Sequence, residues 1–405
     1  MPVPAGSKGG YWGIAQDTGL ELNGFVQELP VFAASGIFSR VQTLGLYVNS
    51  ICNLGCEHCY YSVEDGYRTP GGLRTTEVLP VLDEALASEV SLFAFVGKEI
   101  FLPGSNGGEK TVAMMRHLAN ARGAGRPLML GAVTNGHYLH RYLDAVREVG
   151  LQFLDISFEG HDEATHDRIR GQGSFAKSVR NLEMAVHECA ADRIFAATTL
   201  LSHNVDSLAD ILDFYPRYGV RHYSVMPVVA IKGDLLAVTL DELERFLEVR
   251  LPAKAARLRN ADPVMVSLDL DAYVVSRRQE FFSRYFAGST VKIDTLGNVL
   301  VTRILDGVEL VMRISLPDPC NGYACITHDG LYFDKGGCLF MKRGYEAHAL
   351  GSVQAAPFRT LLRRHEENAE QVLAQHGPSK LFGKTADAVL NDWERTTFYA
   401  LPQLV

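Results

Sequence analysis

From residue 44 onward, short apolar runs alternate with longer stretches in which apolar residues recur every three or four positions. The apolar runs at 44–50, 91–96, 127–133, 153–157, 194–201 and 223–229 read as buried strands. The stretches between them, 75–87, 109–122, 137–149, 175–188 and 207–218, read as amphipathic helices, with Thr75 or Thr76 near the first cap. Strands alternating with helices of this length predict an α/β chain whose strands lie parallel and are joined by right-handed crossovers. After residue 229 the rhythm changes. Helices are expected over 240–259 and 272–286, a hairpin over 288–301 turned at Leu296-Gly297-Asn298, a strand at 308–314, and a terminal helical stretch through Phe358 and Leu373. This divides the chain into an extension at 1–43, an α/β unit at 44–235 and a smaller α+β unit at 236–405. Within the extension, 31–44 reads as a short hairpin turned at Ser35-Gly36, and the extension is too short for a separate leader-peptide-binding domain.

With 405 residues and 47% apolar content, a large core is available. The net charge of −8, without a basic run, argues against nucleic acid as a partner. The first residues lack a secretory pattern, and no apolar stretch approaches about 18 residues, so no membrane is expected. Seven cysteines form two groups of three with Cys189 left over, the latter read as a core thiol. Tight grouping of this kind suggests metal or cluster ligation in a reducing, cytoplasmic setting rather than disulfides.

The first group, Cys52-Asn53-Leu54-Gly55-Cys56-Glu57-His58-Cys59-Tyr60, follows the first expected strand. Its C-x3-C-x2-C spacing lets three thiolates each ligate one iron of a [4Fe–4S] cube and leaves the fourth iron open. The same residues also suit a structural zinc site completed by His58 or a distant residue, or three unrelated buried thiols. The loop leaves the C-terminal end of a strand in an α/β array, where such folds carry chemistry. In that context it resembles the signature of the radical S-adenosylmethionine (radical SAM) superfamily. The resemblance covers roughly 44–229. It implies a partial (β/α)6 barrel with a C-terminal auxiliary-cluster domain, and SAM bound to the open iron through its amino and carboxylate groups. One-electron cleavage of SAM would then give a 5′-deoxyadenosyl radical that abstracts hydrogen from the substrate.

Further motifs stand at the ends of the expected strands. In Val96-Gly97-Lys98-Glu99, similar to the family's Gly-Gly-Glu-Pro, Glu99 is the candidate for the SAM ammonium, although Lys98 and Ile100 depart from the pattern. Thr134-Asn135-Gly136 matches a turn often seen there, making Asn135 a cofactor-binding candidate. Ser157-Phe158-Glu159-Gly160 and His166-Asp167-Arg168-Ile169-Arg170-Gly171 resemble motifs in which Ser157 and Arg170 contact SAM; Arg170 paired to Glu159 is the structural alternative. Met226 would pack on adenine. The second cysteine group, Cys320, Cys325 and Cys338, is spaced C-x4-C-x12-C. It is similar to the auxiliary-cluster regions of SPASM/twitch proteins and of molybdopterin-precursor GTP cyclases while matching neither, and implies a second [4Fe–4S] cluster. His328, Asp329 and Asp334 are candidates for its fourth ligand, and zinc is the alternative metal. The implied activity is modification of a peptide by cross-linking, epimerisation or oxidation. The competing substrate class is a small metabolite such as a nucleoside, sugar or aminocyclitol, and the expected electron donor is a flavodoxin or ferredoxin.

Overall fold

The computed structural model describes residues 15–59, 72–227, 236, 238–258, 262–316, 320–334 and 345–376. β1 (Ala15–Asp17) comes first in the chain, and the centre is the run of parallel strands that the alternation predicts: β2 (Thr43–Tyr47), β3 (Leu92–Val96), β4 (Met129–Thr134), β5 (Leu151–Ser157), β6 (Ala191–Leu200) and β7 (His222–Pro227). They lie side by side in sequence order. Eight further residues, β8 (Val264–Asp271), continue the parallel run beyond β7. Then come β9 (Val291–Asp294), β10 (Val299–Leu305), β11 (Val308–Ser315), β12 (Tyr323–Ile326), β13 (Leu331–Phe333) and β14 (Gly351–Ser352). β11 adds parallel to β8, while β12 adds parallel to β2 at the opposite flank. One curled sheet results, with the order β1-β9-β10-β11-β8-β7-β6-β5-β4-β3-β2-β12-β13-β14.

The two faces of this sheet follow from the two-residue period of each strand. Leu44, Leu46, Phe93, Phe95, Leu154 and Ile156 point to the outer face and share one core with the helices that cross over it. The concave face has an apolar floor in which Leu92, Phe153, Phe195, Leu300 and Val311 pack with Met129 and Met265. Above that floor the rungs turn polar: Ser157, Ala197, Ser224 and Ser267 are successive register partners, and Asp269 pairs in register with Arg313. Arg313 grips Asp269 through Nε at 2.8 Å and Nη2 at 2.5 Å, so the charge on this wall is internally matched.

Three expectations need correction. Residues 31–44 do not form a hairpin; the helix Leu22–Ala33, which buries Leu22, Phe25 and Leu29 on one stripe, runs into the segment, turns follow it, and β2 begins at Thr43. The alternation in Val264-Met-Val-Ser-Leu-Asp-Leu-Asp271 is a strand, inserted between the two helical stretches where none was expected. Cys189 is exposed in the turn after the helix Ser174–His187 rather than in the core. The hairpin turned at Leu296-Gly297-Asn298 is present as β9–β10, fastened by Asp294, whose carboxylate accepts from the backbone N–H groups of Leu296 and Asn298, each at 2.9 Å. The expected division near residue 235 lies outside the described residues.

Two close approaches shape the concave face. A Cβ on Gly131 would sit 1.8 Å from Phe153 Cζ, because the Phe153 ring crosses the neighbouring strand there; a Cβ on Gly45 would sit 1.9 Å from the Tyr323 hydroxyl. Gly131→Ala is therefore expected to destabilise the chain by about 1–3 kcal/mol through overpacking. Chemical denaturation should recover much of that loss in the double variant Gly131→Ala/Phe153→Leu, and strictly additive effects would contradict the contact.

Candidate functional site

The cysteine loop hangs from the end of β2 and is held on both sides by groups distant in sequence. Lys110 Nζ donates to Val48 O at 2.9 Å, Asn49 Nδ2 donates to Glu99 O at 2.6 Å, and Glu99 N donates to Ile51 O at 3.3 Å. On the far side, Glu57 N donates to the carbonyl of Ile169, in the helix Glu163–Arg170, at 2.8 Å. Within the loop, Cys59 N donates to Cys56 O at 3.1 Å and Leu54 N to Cys52 Sγ at 3.4 Å. Cys56 is buried, whereas Cys52 and Cys59 are half-buried.

Glu99 is the hub behind the loop. Its side chain is fully enclosed, and its carboxylate accepts from Phe101 N at 2.9 Å, Thr134 Oγ1 at 2.7 Å and Asn135 N at 2.8 Å. Burial pushes its pKa up, and these donors pull against that rise. The residue expected to face the SAM ammonium is thus turned onto the chain's own turns. Gly97, at φ +115°, allows the strand to bend back before it, where an added Cβ would press on Tyr47. Asn135 continues the chain of contacts: its Nδ2 lies 3.0 Å from Asn53 Oδ1 and 3.7 Å from Cys52 Sγ.

Arg170 and Glu159 form a buried pair on the other flank. Arg170 Nε and Nη2 reach Glu159 Oε1 at 2.9 and 2.6 Å, and Glu159 Oε2 accepts from Thr199 N at 2.8 Å. The structural pairing of Arg170 is therefore the one observed. Its charge still acts on the loop, since it opposes the rise that burial imposes on the Cys56 thiol. In the same motif, Asp167 binds the N–H groups of Gly173 and Phe175, capping the helix Ser174–His187 rather than facing the loop. Ser157 is half-buried at the end of β5, and Met226, half exposed at the end of β7, stands outside the core.

The thiols fit a shared iron–sulfur cluster. Burial pushes Cys52 up to about 11, with Glu99, Cys56 and Cys59 adding to the rise, so the three sulfurs sit within electrostatic reach of one another. Ligation by iron removes that conflict by holding them as thiolates. Two buried polar atoms beside the loop, Asn49 Oδ1 and Asn53 Nδ2, have no partner within the described residues. They offer an acceptor and a donor to a bound group. Among the described residues no three Cys, His, Asp or Glu side chains converge on a single-ion position. Neither Asn, nor Lys110, was singled out from sequence, because the groups they tie together lie tens of residues apart.

The described part of the second cysteine group lies on and before β12, the strand beside β2. Cys320 and Cys325 are fully buried, with Cys325 opposite Gly45 of β2 and Cys320 Sγ 3.7 Å from Ala369 O. Cys338 lies outside the described residues, as does Tyr60. Of the expected fourth ligands, Asp334 is buried and receives Asn368 Nδ2 at 2.8 Å, Asp329 receives Thr327 Oγ1 at 2.5 Å, and His328 lies against the Gly72 backbone.

Residues 46–223 match the family profile described as the Radical SAM superfamily, a span that begins in β2, includes all three loop cysteines and ends in β7. Over that span the chain carries a radical SAM domain. Its radical SAM segment is 32% identical over 173 residues to the mycofactocin maturase MftC of Mycobacterium ulcerans (strain Agy99), covering 42% of each chain. The chain spans about half the length, or less, of curated relatives it matches. In fold it is similar to anSMEcpe, solved with AdoMet and the Cp18Cys peptide, at a TM-score of 0.58 and 15% identity over 88% of this chain and 87% of that one. It is also similar to Streptococcus suis SuiB bound to the precursor peptide SuiA, at a TM-score of 0.54 and 12% identity over 78% of this chain and 65% of that one. No helix among the described residues is long and apolar enough to cross a membrane.

Two stability outcomes follow from the radical SAM loop's supports. Glu99→Gln turns one acceptor oxygen into an N–H2 group facing a buried donor, and should cost about 1–3 kcal/mol in chemical denaturation; wild-type stability would show that the three donors do not depend on it. Burial lowers Lys110 to about 8 from an ordinary 10.5. Between those values the unfolded lysine holds a proton that the folded one releases, so stability rises with pH across this window. In Lys110→Met that rise should be absent from denaturation midpoints measured between pH 8 and 10.

Proposed function

We propose that this chain is a peptide-modifying radical SAM enzyme. The observation that carries the reading is the C-x3-C-x2-C loop at the C-terminal end of β2, braced from β3 by Glu99 and from β4 by Asn135. Cys52, Cys56 and Cys59 hold a [4Fe–4S] cluster with an open iron for SAM. When bound, the cluster supplies the electron that cleaves SAM to the 5′-deoxyadenosyl radical. Asn135, Ser157 and Met226 stand at or near strand ends, and Arg170, the last residue of the helix Glu163–Arg170, pairs with Glu159 just beyond β5. Ser157 and Met226 are the more accessible of these for the cofactor's polar and adenine portions, while Glu99 acts by fixing the turns that surround it. The concave wall of Ser224, Ser267, Asp269 and Arg313 gives a substrate hydrogen-bonding partners above an apolar floor that excludes water.

The peptide reading is supported by a maturase among the relatives and by peptides in two similar structures. Cys320, Cys325 and Cys338 hold a second [4Fe–4S] cluster; of these, Cys325 lies on β12, the strand beside β2. A flavodoxin or ferredoxin supplies the reducing electron.

Anaerobic reconstitution with iron and sulfide tests this. The unaltered chain should give a low-temperature EPR signal on reduction and form 5′-deoxyadenosine from SAM. The variant with Cys52, Cys56 and Cys59 all replaced by Ala should form none and keep a weaker cluster signal from the second group. Deoxyadenosine formation by that variant would sink the assignment of the loop; loss of all its iron would sink the second cluster. Hydrogen transfer into 5′-deoxyadenosine from a deuterated precursor peptide, and not from deuterated nucleosides or sugars, would decide for the peptide class.

A further inference from the structure

Asn135 does more than close a turn. Its amide is oriented by its own backbone neighbour: Oδ1 accepts from His137 N at 2.9 Å. Reversing the amide would set N–H2 against that N–H and oxygen against Asn53 Oδ1, so the nitrogen end must face Asn53 and the Cys52 sulfur. The backbone on either side is pinned as well. Asn135 N donates to Glu99 Oε2 at 2.8 Å, and Asn135 O accepts from Ser178 Oγ at 3.1 Å. The side chain is 6% exposed, so water competes little for the contact. Cys52 Sγ thus faces two N–H donors, Leu54 N at 3.4 Å and Asn135 Nδ2 at 3.7 Å. The positive charge near the loop is disposed differently: Arg170 acts on Cys56.

We propose that Asn135 is a positioning residue that sets the reduction potential of the cluster by donating a hydrogen bond to the Cys52 sulfur. The proposal rests on the reading of Cys52, Cys56 and Cys59 as cluster ligands. Reduction adds a negative charge that is shared with the thiolate sulfurs. An N–H aimed at one of them stabilises the reduced state more than the oxidised state and raises the potential. This role is separate from contact with SAM, and it places the control of electron entry on β4, a strand that supplies no cysteine.

The test is an EPR-monitored redox titration of the full chain, reconstituted anaerobically without SAM, with iron content measured in parallel. Asn135→Leu removes the donor at similar volume. Asn135→Asp keeps an acceptor for His137 N while placing a negative charge by the sulfur. Ser178→Ala loosens only the backbone tether. The expected result is a midpoint shifted to lower potential in Asn135→Leu and further in Asn135→Asp, with iron retained, and an unshifted midpoint in Ser178→Ala. Unshifted midpoints in both Asn135 variants with the cluster intact overturn the proposal alone. Loss of iron from both, with retention in Ser178→Ala, also overturns it, since Asn135 would then hold the loop without tuning it. Failure of the unaltered chain to take up any cluster overturns the reading of the three cysteines and this proposal with it.

Discussion

A single buried carboxylate organises the mouth of this barrel. Glu99 has no solvent to satisfy it, so its geometry is dictated by the donors it finds, and those donors come from two different loops. Its own backbone then binds the loop after β2 through Asn49 and Ile51. Three consecutive strand ends are thereby fixed relative to one another by one residue. An unsatisfied carboxylate in this position would be expensive, which makes the arrangement close to all-or-none. The cysteine loop is consequently a rigid appendage of the sheet, although it has no regular secondary structure itself.

The parallel sheet was legible because periodicity is a local signal: 91–96 and 127–133 read as buried strands, and their partners follow from chain order. The cysteine spacing was legible for the same reason. What sequence could not convey is where side chains turn after a strand ends. Glu99 occupies a motif position associated with ligand contact, yet Lys98 and Ile100 in place of small or rigid residues accompany a side chain folded inward onto Thr134 and Asn135. Arg170 and Glu159 are similar: charge complementarity was visible, but the choice between pairing internally and facing a cofactor depends on burial. β8 is a different kind of omission. Val264, Val266, Leu268 and Leu270 alternate with Met265, Ser267 and Asp269 as a half-polar strand should. Its period of two is short and is flanked on both sides by helical stretches of longer period, which mask it in the sequence.

The concave face divides the labour between its two halves. On β3, β4 and β5 the residues nearest the strand ends serve the cysteine loop, and on β7, β8 and β11 they present hydroxyls and a matched ion pair to the interior. The strands that fell outside the expected six therefore supply much of the wall across from the loop. An internally paired Arg313 and Asp269 give that wall shape and directional donors without a net charge that would bias it toward anionic ligands.

The pairing of β12 with β2 has a kinetic consequence. Thr43 and Leu46 are separated in sequence by 280 residues from their partners Tyr323 and Ile326. Contacts so distant in sequence form late. The flank of β2, which leads directly into the cysteine loop, therefore stays open until residues 323–326 have been synthesised. The loop that carries Cys52, Cys56 and Cys59 can therefore be reached from that edge until the Cys320–Cys325 segment arrives and closes it.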